Sequence, residues 1–87
     1  MITDERREAE TGYLVWDERT ERPDIQREDD TFHGGLHSGD ELEVHTREGY
    51  PIEMPIEYDA ETGSWYILGI PRYEAILGLK VRRLGRA

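Results

Sequence analysis

Residues 41–70 read ELEVHTREGYPIEMPIEYDAETGSWYILGI, and this stretch decides the fold. In its first part Leu42 and Val44 alternate with charged and polar residues, and the same alternation returns over residues 52–58. A period of two is typical of strands with one buried and one solvated face. The stretch therefore predicts two half-buried antiparallel strands joined by a turn at residues 47–50.

A second turn follows at residues 59–63 (DAETG), where Asp59 caps backbone amides and Gly63 supplies a positive φ. The next segment, residues 64–70 (SWYILGI), is apolar on both faces, which predicts a central strand. Pro55 has no N–H to donate to a ladder, so the strand that contains it is predicted to lie partly at an edge or to carry a bulge.

Outside this stretch the signals are shorter. Residues 12–17 (GYLVWD) predict a first strand, and residues 79–84 (LKVRRL) a last one. Residues 71–78 between the last two strands favour one short helical or 3-10 turn. Residues 18–31 contain one large apolar residue and a proline, which is typical of a long, solvated acidic loop.

Together these elements predict an all-β fold, a small five-stranded antiparallel SH3-like barrel, because closure removes most exposed strand edges. The domain is expected to span residues 12–84. Six of residues 1–11 are charged, and this segment is expected to form a disordered arm, with residues 85–87 as a short tail. At 87 residues the chain is long enough for one domain with a thin core.

Composition narrows the possible functions. Twenty acidic residues against eleven basic ones give a formal charge of −9, which disfavours general binding to phosphate backbones or anionic lipids. The absence of cysteine excludes disulfides and thiolate chemistry and favours a cytoplasmic location. No apolar run long enough for a membrane span occurs. The last nine residues carry four bases and no acid, so one basic end is predicted on an acidic body.

Two resemblances follow from these residues. Residues 36–44 (LHSGDELEV) resemble the entry to the second strand of SH3-like barrels, and residues 64–68 the aromatic strand that follows. The blocks GGLHSGD, IEYD, WYILGI and LGLKVR, in that order from residue 34 to residue 82, are also similar to an uncharacterised family. It comprises small bacterial domains of unknown function, often found in genomes rich in conjugative elements.

The family resemblance implies a fold and a genomic setting and supplies no catalytic residues. The chain departs from the family pattern at Tyr50, where a tryptophan is usual, and in a longer acidic insertion at residues 18–30.

Three histidines raise the question of a metal. His33 and His37 are four residues apart, but the glycines between them disfavour the helix that this ligand spacing requires. A turn that also brings in Asp40 stays open as an alternative, and ordinary capping roles are favoured. Ser38 and Asp40 are expected to bind nearby backbone amides. We therefore predict no metal, no cofactor and no catalytic residue.

The aromatic residues exceed what a thin core needs. Trp65 and Tyr66 are consecutive in a strand and so point to opposite faces. An aromatic groove formed by Tyr50, Tyr58 and Tyr66 is the leading prediction for a ligand-binding site, as in modules that bind extended peptides. The alternative is that these rings only cover the open ends of the barrel.

The leading functional hypothesis is a non-catalytic protein-interaction module whose protein or peptide partner is expected to carry positive charge. The alternative is a nucleic-acid-associated accessory protein of a mobile element. It would contact phosphates through Lys80, Arg82, Arg83 and Arg86 or use its acidic surface to occupy a DNA-binding partner. The same bases are also expected to pair with the acidic body. No membrane role is expected, and both a monomer and a weak homodimer fit the sequence.

Overall fold

The computed structural model describes residues 10–85. They form six strands, all antiparallel, in one sheet of order β2-β1-β6-β3-β4-β5. The predicted all-β class is confirmed, and among residues 10–85 there is no helix. The strand bounds are β1 Thr11–Asp17, β2 Arg22–Gln26, β3 Glu41–His45, β4 Pro51–Asp59, β5 Ser64–Ile67 and β6 Lys80–Gly85.

The prediction of five strands was wrong, because the segment expected to be an acidic loop contains β2. Ile25 pairs with Leu14 of β1, and both side chains are fully buried. Pro23 is accommodated because its carbonyl accepts a hydrogen bond from the Leu36 amide, on the side away from β1. The N–H and C=O of one residue in a strand point to the same side, so the N–H that proline lacks would also have pointed away from β1. No ladder bond between β1 and β2 is therefore lost.

The closed barrel is corrected to a curled half-barrel, since no ladder joins β2 to β5 within the described part of the chain. β4 makes the curl, because residues 51–55 pair with β3 and residues 56–59 with β5. The Ile56 amide donates to the Asp40 carbonyl, on the β3 side of β4. The backbone of the neighbouring Pro55 therefore faces the opposite side, where β5 pairs only with residues 56–59 and so does not extend to Pro55. Pro55 therefore lies at a local edge, as predicted.

Two other predictions about elements were wrong. Residues 64–70 do not form a central strand, because β5 ends at Ile67 and lies at the edge of the sheet. A turn closed by the Ile70 amide on the Ile67 carbonyl ends it. Residues 71–78 form hydrogen-bonded turns instead of a helical turn, one of them closed by the Glu74 amide on the Pro71 carbonyl.

The core lies on one face of the sheet, called the inner face below. Every strand contributes to it, and the two loops that fold over this face add one leucine each. None of the described residues belongs to a helix that is long and apolar enough to cross a membrane. The buried core side chains are Leu14, Ile25, Leu36, Leu42, Val44, Ile56, Ile67, Leu79 and Val81.

Two terminal predictions fall largely outside the described residues. The expected disordered arm covers residues 1–11, of which only Glu10 and Thr11 are described, and Thr11 begins β1. Of the expected tail, Gly85 ends β6, and residues 86–87 lie outside the described part.

Candidate functional site

A shallow groove lies where the β3–β4 turn faces the segment that follows β5. Its volume is about 190 Å³. We call it the Tyr50 groove. The groove is lined by Thr46, Arg47, Glu48, Tyr50, Gly69, Ile70, Pro71, Glu74 and Leu79.

The first wall is the tight turn between β3 and β4. The Thr46 amide and hydroxyl both donate to the Tyr50 carbonyl, at 3.1 and 2.7 Å. Gly49 has a φ of +97°, which a glycine adopts without steric cost, and its amide donates to the Thr46 carbonyl. The turn leaves the Tyr50 ring 56% exposed at the groove.

The second wall is the segment that folds back over β4. Gly69 permits this approach, because a Cβ there would lie 3.3 Å from Cδ1 of Ile52 and 3.7 Å from Cγ of Met54. Its φ of +88° also favours glycine. Buried Leu79 contributes to the lining from just before β6.

A hydrogen bond joins the two walls. Nη1 of Arg47, in the turn, donates to the carbonyl oxygen of Ala75 at 2.7 Å. This contact ties the turn to residues 71–78, called the connector below. It engages the one arginine of the lining. Glu48 and Glu74 stand on the two walls, and within residues 10–85 neither carboxylate has a hydrogen bond or ion pair.

Three exposed apolar side chains lie close in sequence to the lining residues. Leu68, Tyr73 and Leu77 are 48%, 88% and 46% exposed, and each lies within two residues of a lining residue. Burying such side chains against a partner is the ordinary way to remove their contact with water.

The structure does not bring the three predicted tyrosines together. Tyr58 lies opposite Trp65 on the inner face, with ring centroids 5.1 Å apart. Tyr66 lies opposite Glu57 on the outer face, where the Arg72 guanidinium stacks 3.9 Å from its ring centre. Tyr50 and Tyr58 are eight residues apart along one strand direction, up to about 26 Å. Only Tyr50 lines the groove.

Arg72 also binds Asp59, and this contact fixes the outer side of the β4–β5 hairpin. Its Nη1 donates to Oδ2 of Asp59 at 2.9 Å. This hydrogen bond holds the pKa of Asp59 below, and that of Arg72 above, its ordinary value. Tyr66 is therefore part of a structural contact and is only partly accessible.

The predicted basic residues are also divided between the two faces. Arg82 lies directly opposite Glu43 and donates to its Oε2 at 3.1 Å, which confirms cross-strand pairing with the acidic body. The same hydrogen bond lowers the pKa of Glu43 below its ordinary range. Lys80 is exposed on β6, and Arg86 lies outside the described residues.

Arg83 points to the other face, in register with buried Leu42. Its guanidinium lies 3.6 Å from a Glu10 oxygen and 3.9 Å from one of Asp40. Both arginines of the described basic end are thus held by carboxylates.

The histidines do not converge on Asp40. Nε2 of His33 is 2.7 Å from Glu10, and Nδ1 of His37 is 3.9 Å from Asp40. His45 lies beside Glu43 on β3. Across residues 10–85 no group of three or more histidine, aspartate or glutamate side chains is placed to hold a metal ion.

Ser38 and Asp40 have the structural roles predicted for them. Oδ2 of Asp40 accepts from the His37 amide at 2.8 Å. Oγ of Ser38 accepts from the Tyr58 amide at 3.1 Å and donates to Glu57 at 3.2 Å. These hydrogen bonds fix the glycine-rich turn against β4.

Sequence reasoning missed most of the groove. Arg47 and Glu74 lie in segments assigned to simple turns, and nothing in their local pattern shows that they face each other. Gly69 offered a signal, since a glycine after an apolar strand often marks a bend or a close approach.

The chain belongs to the family described as a domain of unknown function (DUF5348), whose sequence pattern matches residues 12–83. This confirms the family resemblance noted in the sequence. The fold is similar to the crystal structure of a protein from Ruminococcus gnavus, a structural genomics target. The two are 32% identical, the TM-score is 0.68, and the match covers 83% of this chain and 97% of the other. Among curated proteins none matches the chain.

Proposed function

We propose that this member of the DUF5348 family is a non-catalytic protein-interaction module that binds its partner at the Tyr50 groove. The observation that carries the proposal is the exposed Tyr50 ring in the groove, together with exposed apolar side chains close in sequence to the lining. Tyr50 belongs to the lining, Leu68, Tyr73 and Leu77 each lie within two residues of it in the sequence, and all four are more than two-fifths exposed. Exposed aromatic and aliphatic side chains around a depression are typical of protein-binding sites.

The size of the groove supports a peptide ligand. Sites that enclose small molecules commonly measure about 300–1,000 Å³, and this groove has about 190 Å³. That volume suits one or two side chains of an extended segment. The SH3-like resemblance of the sequence is in keeping with this proposal, since such modules bind extended peptides in shallow aromatic grooves.

The charges support binding over catalysis. The pKa values of four carboxyl groups, Asp17, Asp29, Glu43 and Asp59, lie below their ordinary range, each mainly because of hydrogen bonds. A general acid needs a raised pKa, whereas ionised carboxylates favour encounter with a basic partner. With no cysteine in the chain, we place this activity in the cytoplasm.

The test is capture of partners from a host lysate with the full chain as bait, with nuclease present. Tyr50→Ala removes an exposed ring of the groove, and Tyr13→Ala removes a comparably exposed ring from β1 as the matched control. We expect a nuclease-resistant partner to be lost with Tyr50→Ala and retained with Tyr13→Ala. Equal retention by both variants would reject the groove as the docking surface.

The nucleic-acid alternative receives less support from the geometry. Arg82 and Arg83 are paired with carboxylates, so phosphate contacts there would have to replace existing ion pairs. Exposed Lys80 is the feature that still favours it. Retention that disappears with nuclease and falls steeply with salt would place this alternative first.

A further inference from the structure

We infer that the Tyr50 groove receives the cationic side chain of a lysine or arginine from an extended partner peptide. This inference rests on the proposed function and names the chemistry of its ligand. The evidence comes from the two walls of the groove and from the use already made of its arginine.

The groove presents negative charge from both walls. Glu48 belongs to the β3–β4 turn and Glu74 to the connector after β5, and neither has an ion-pair partner within the described residues. Arg47 lies in the same lining and keeps its charge while one guanidinium nitrogen donates to the Ala75 carbonyl at 2.7 Å, so the lining carries two negative charges and one positive charge. A partner cation between the walls would balance the net negative charge that remains.

The remaining lining fits the rest of such a side chain. Tyr50 offers an exposed ring for contact with a cation. Ile70, Pro71 and Leu79 supply apolar surface, which suits the methylene stem of lysine or arginine. An anionic side chain would meet a lining whose net charge is negative, and a purely apolar one would cover carboxylates without giving them a partner.

Charge complementarity also favours a basic peptide over a second copy of this chain. The net charge of −9 makes two copies repel, whereas it attracts a basic segment.

The experiment is an NMR titration of the full-length protein with Nα-acetyl-arginine methylamide and with its neutral citrulline counterpart. We expect the arginine compound to shift the amide signals of residues 46–50 and 69–74. The dissociation constant should be in the millimolar range, which corresponds to a binding free energy on the order of −4 kcal/mol. The citrulline compound should shift them at least about threefold less at equal concentration.

The variant Glu48→Gln/Glu74→Gln should weaken arginine binding about three- to tenfold. The matched control Glu53→Gln/Glu61→Gln removes the same charge from exposed positions outside the groove lining and should leave binding unchanged. The amide spectrum shows that each variant is folded. Equal binding of citrulline, or equal weakening by both double variants, would overturn the inference.

The two hypotheses fail in different ways in the lysate assay. If Tyr50→Ala loses the partner while Glu48→Gln/Glu74→Gln keeps it, the inference that the groove binds a cationic side chain is wrong, and the proposed docking surface is retained. If both variants keep the partner, the docking surface itself is wrong. Self-association that competes with the partner and depends on Tyr50 would replace the basic peptide by a second copy.

Discussion

Asp24 is the most buried charged side chain among the described residues, at 1% exposure in β2. Its Oδ1 accepts hydrogen bonds from the amides of Ile25 at 2.7 Å and Gly34 at 3.1 Å. A buried carboxylate is tolerated when backbone donors surround it. Asp24 thereby fixes the glycine-rich segment along the outer edge of β2.

We expect Asp24→Ala to lower the free energy of unfolding by about 2–4 kcal/mol, because the buried Ile25 amide and the partly buried Gly34 hydrogen bond lose their acceptor. Urea denaturation measures this loss. Glu28→Ala, an exposed position in the turn after β2, is the control and should change stability by less than about 0.5 kcal/mol. Equal midpoints for the two variants would contradict this role.

The Glu43–Arg82 pair makes stability depend on pH. Its hydrogen bond keeps the folded-state pKa of Glu43 below the ordinary value of 4.5. Because the folded pKa is the lower one, the stabilisation is present above about pH 4.5 and is lost as the pH falls through the folded value. Two further titratable side chains lie beside Glu43: His45 on the same strand, and Glu53 directly opposite on β4.

We therefore expect Glu43→Gln to be less stable than the parent by about 1 kcal/mol at pH 7. The difference should shrink as the pH is lowered from 5 to 3. Arg82→Gln should behave in the same way, and the double variant no worse than either single one. Glu61→Gln, an exposed position away from this pair, is the control and should show no such dependence on pH. A constant difference across this range would show that the pair does not titrate as described.

Residue types alone indicated some of these contacts. A basic strand beside acidic ones predicted cross-strand pairing, and Arg82 with Glu43 confirms it. The burial of Asp24 was hidden, because an aspartate beside a proline in a charged segment is typical of a loop. Its environment depends on Gly34, ten residues away, and such a contact has no local pattern.

At the scale of elements, β1 has little free space where it meets β2. A Cβ on Gly12 would press on the carbonyl oxygen of Gln26 and lie 2.7 Å from Cγ2 of Ile25. One of these contacts is backbone, so the strands themselves would have to separate. We expect Gly12→Ala to lower stability by about 1–3 kcal/mol.

The matched control for this prediction is Gly85→Ala in β6, where an added Cβ meets nothing within 4 Å. Thermal unfolding of the two variants gives the comparison. A similar melting temperature for both would mean that β2 is held to β1 less tightly than the geometry shows.

The strands with clear alternation were predicted well, and those without it were not. Leu42 and Val44 are buried and Glu41 is exposed, as the period of two required. β2 carries one large apolar side chain, Ile25, so it offered no period to detect. β5 is apolar on both faces although it is an edge, because Arg72 covers Tyr66 on the outer face.

The groove was only partly predictable for the same reason. Tyr50 was identified from its type and its place in a turn. Its neighbours Glu74 and Ile70 come from a connector whose path is set by Gly69 closing over Ile52. Alternation shows which residues share a face within one strand, but it does not relate the faces of two strands. Tyr58 and Tyr66 could be assigned to opposite faces only from the register between β4 and β5.

At the scale of the whole molecule, the last strand lies in the middle of the sheet. β6 pairs with β1 on one side and β3 on the other, and no other ladder joins these halves within residues 10–85. Val81 lies opposite Gly12 and Val44, and its side chain is fully buried. Contacts between strands so distant in sequence carry a high entropic cost of loop closure.

This arrangement predicts that the chain shortened to residues 1–79 loses cooperative folding. Without β6, the β1–β2 hairpin and the β3–β4–β5 meander each keep an exposed apolar face, and isolated units of that size are marginal in water. We expect the near-ultraviolet circular dichroism of the two tryptophans to be lost and the urea transition to become broad. Removal of residues 86–87 alone should leave both signals intact.

A peptide of residues 80–87 added in trans should restore the sharp transition in a concentration-dependent way, because binding to the folded form stabilises it. The same peptide with Val81→Asp is the matched control and should fail, since an aspartate there would be buried without a partner. A cooperative transition in the shortened chain alone would show that the two halves fold without β6. In that case β6 would join two halves that are already folded and would not be required for their folding.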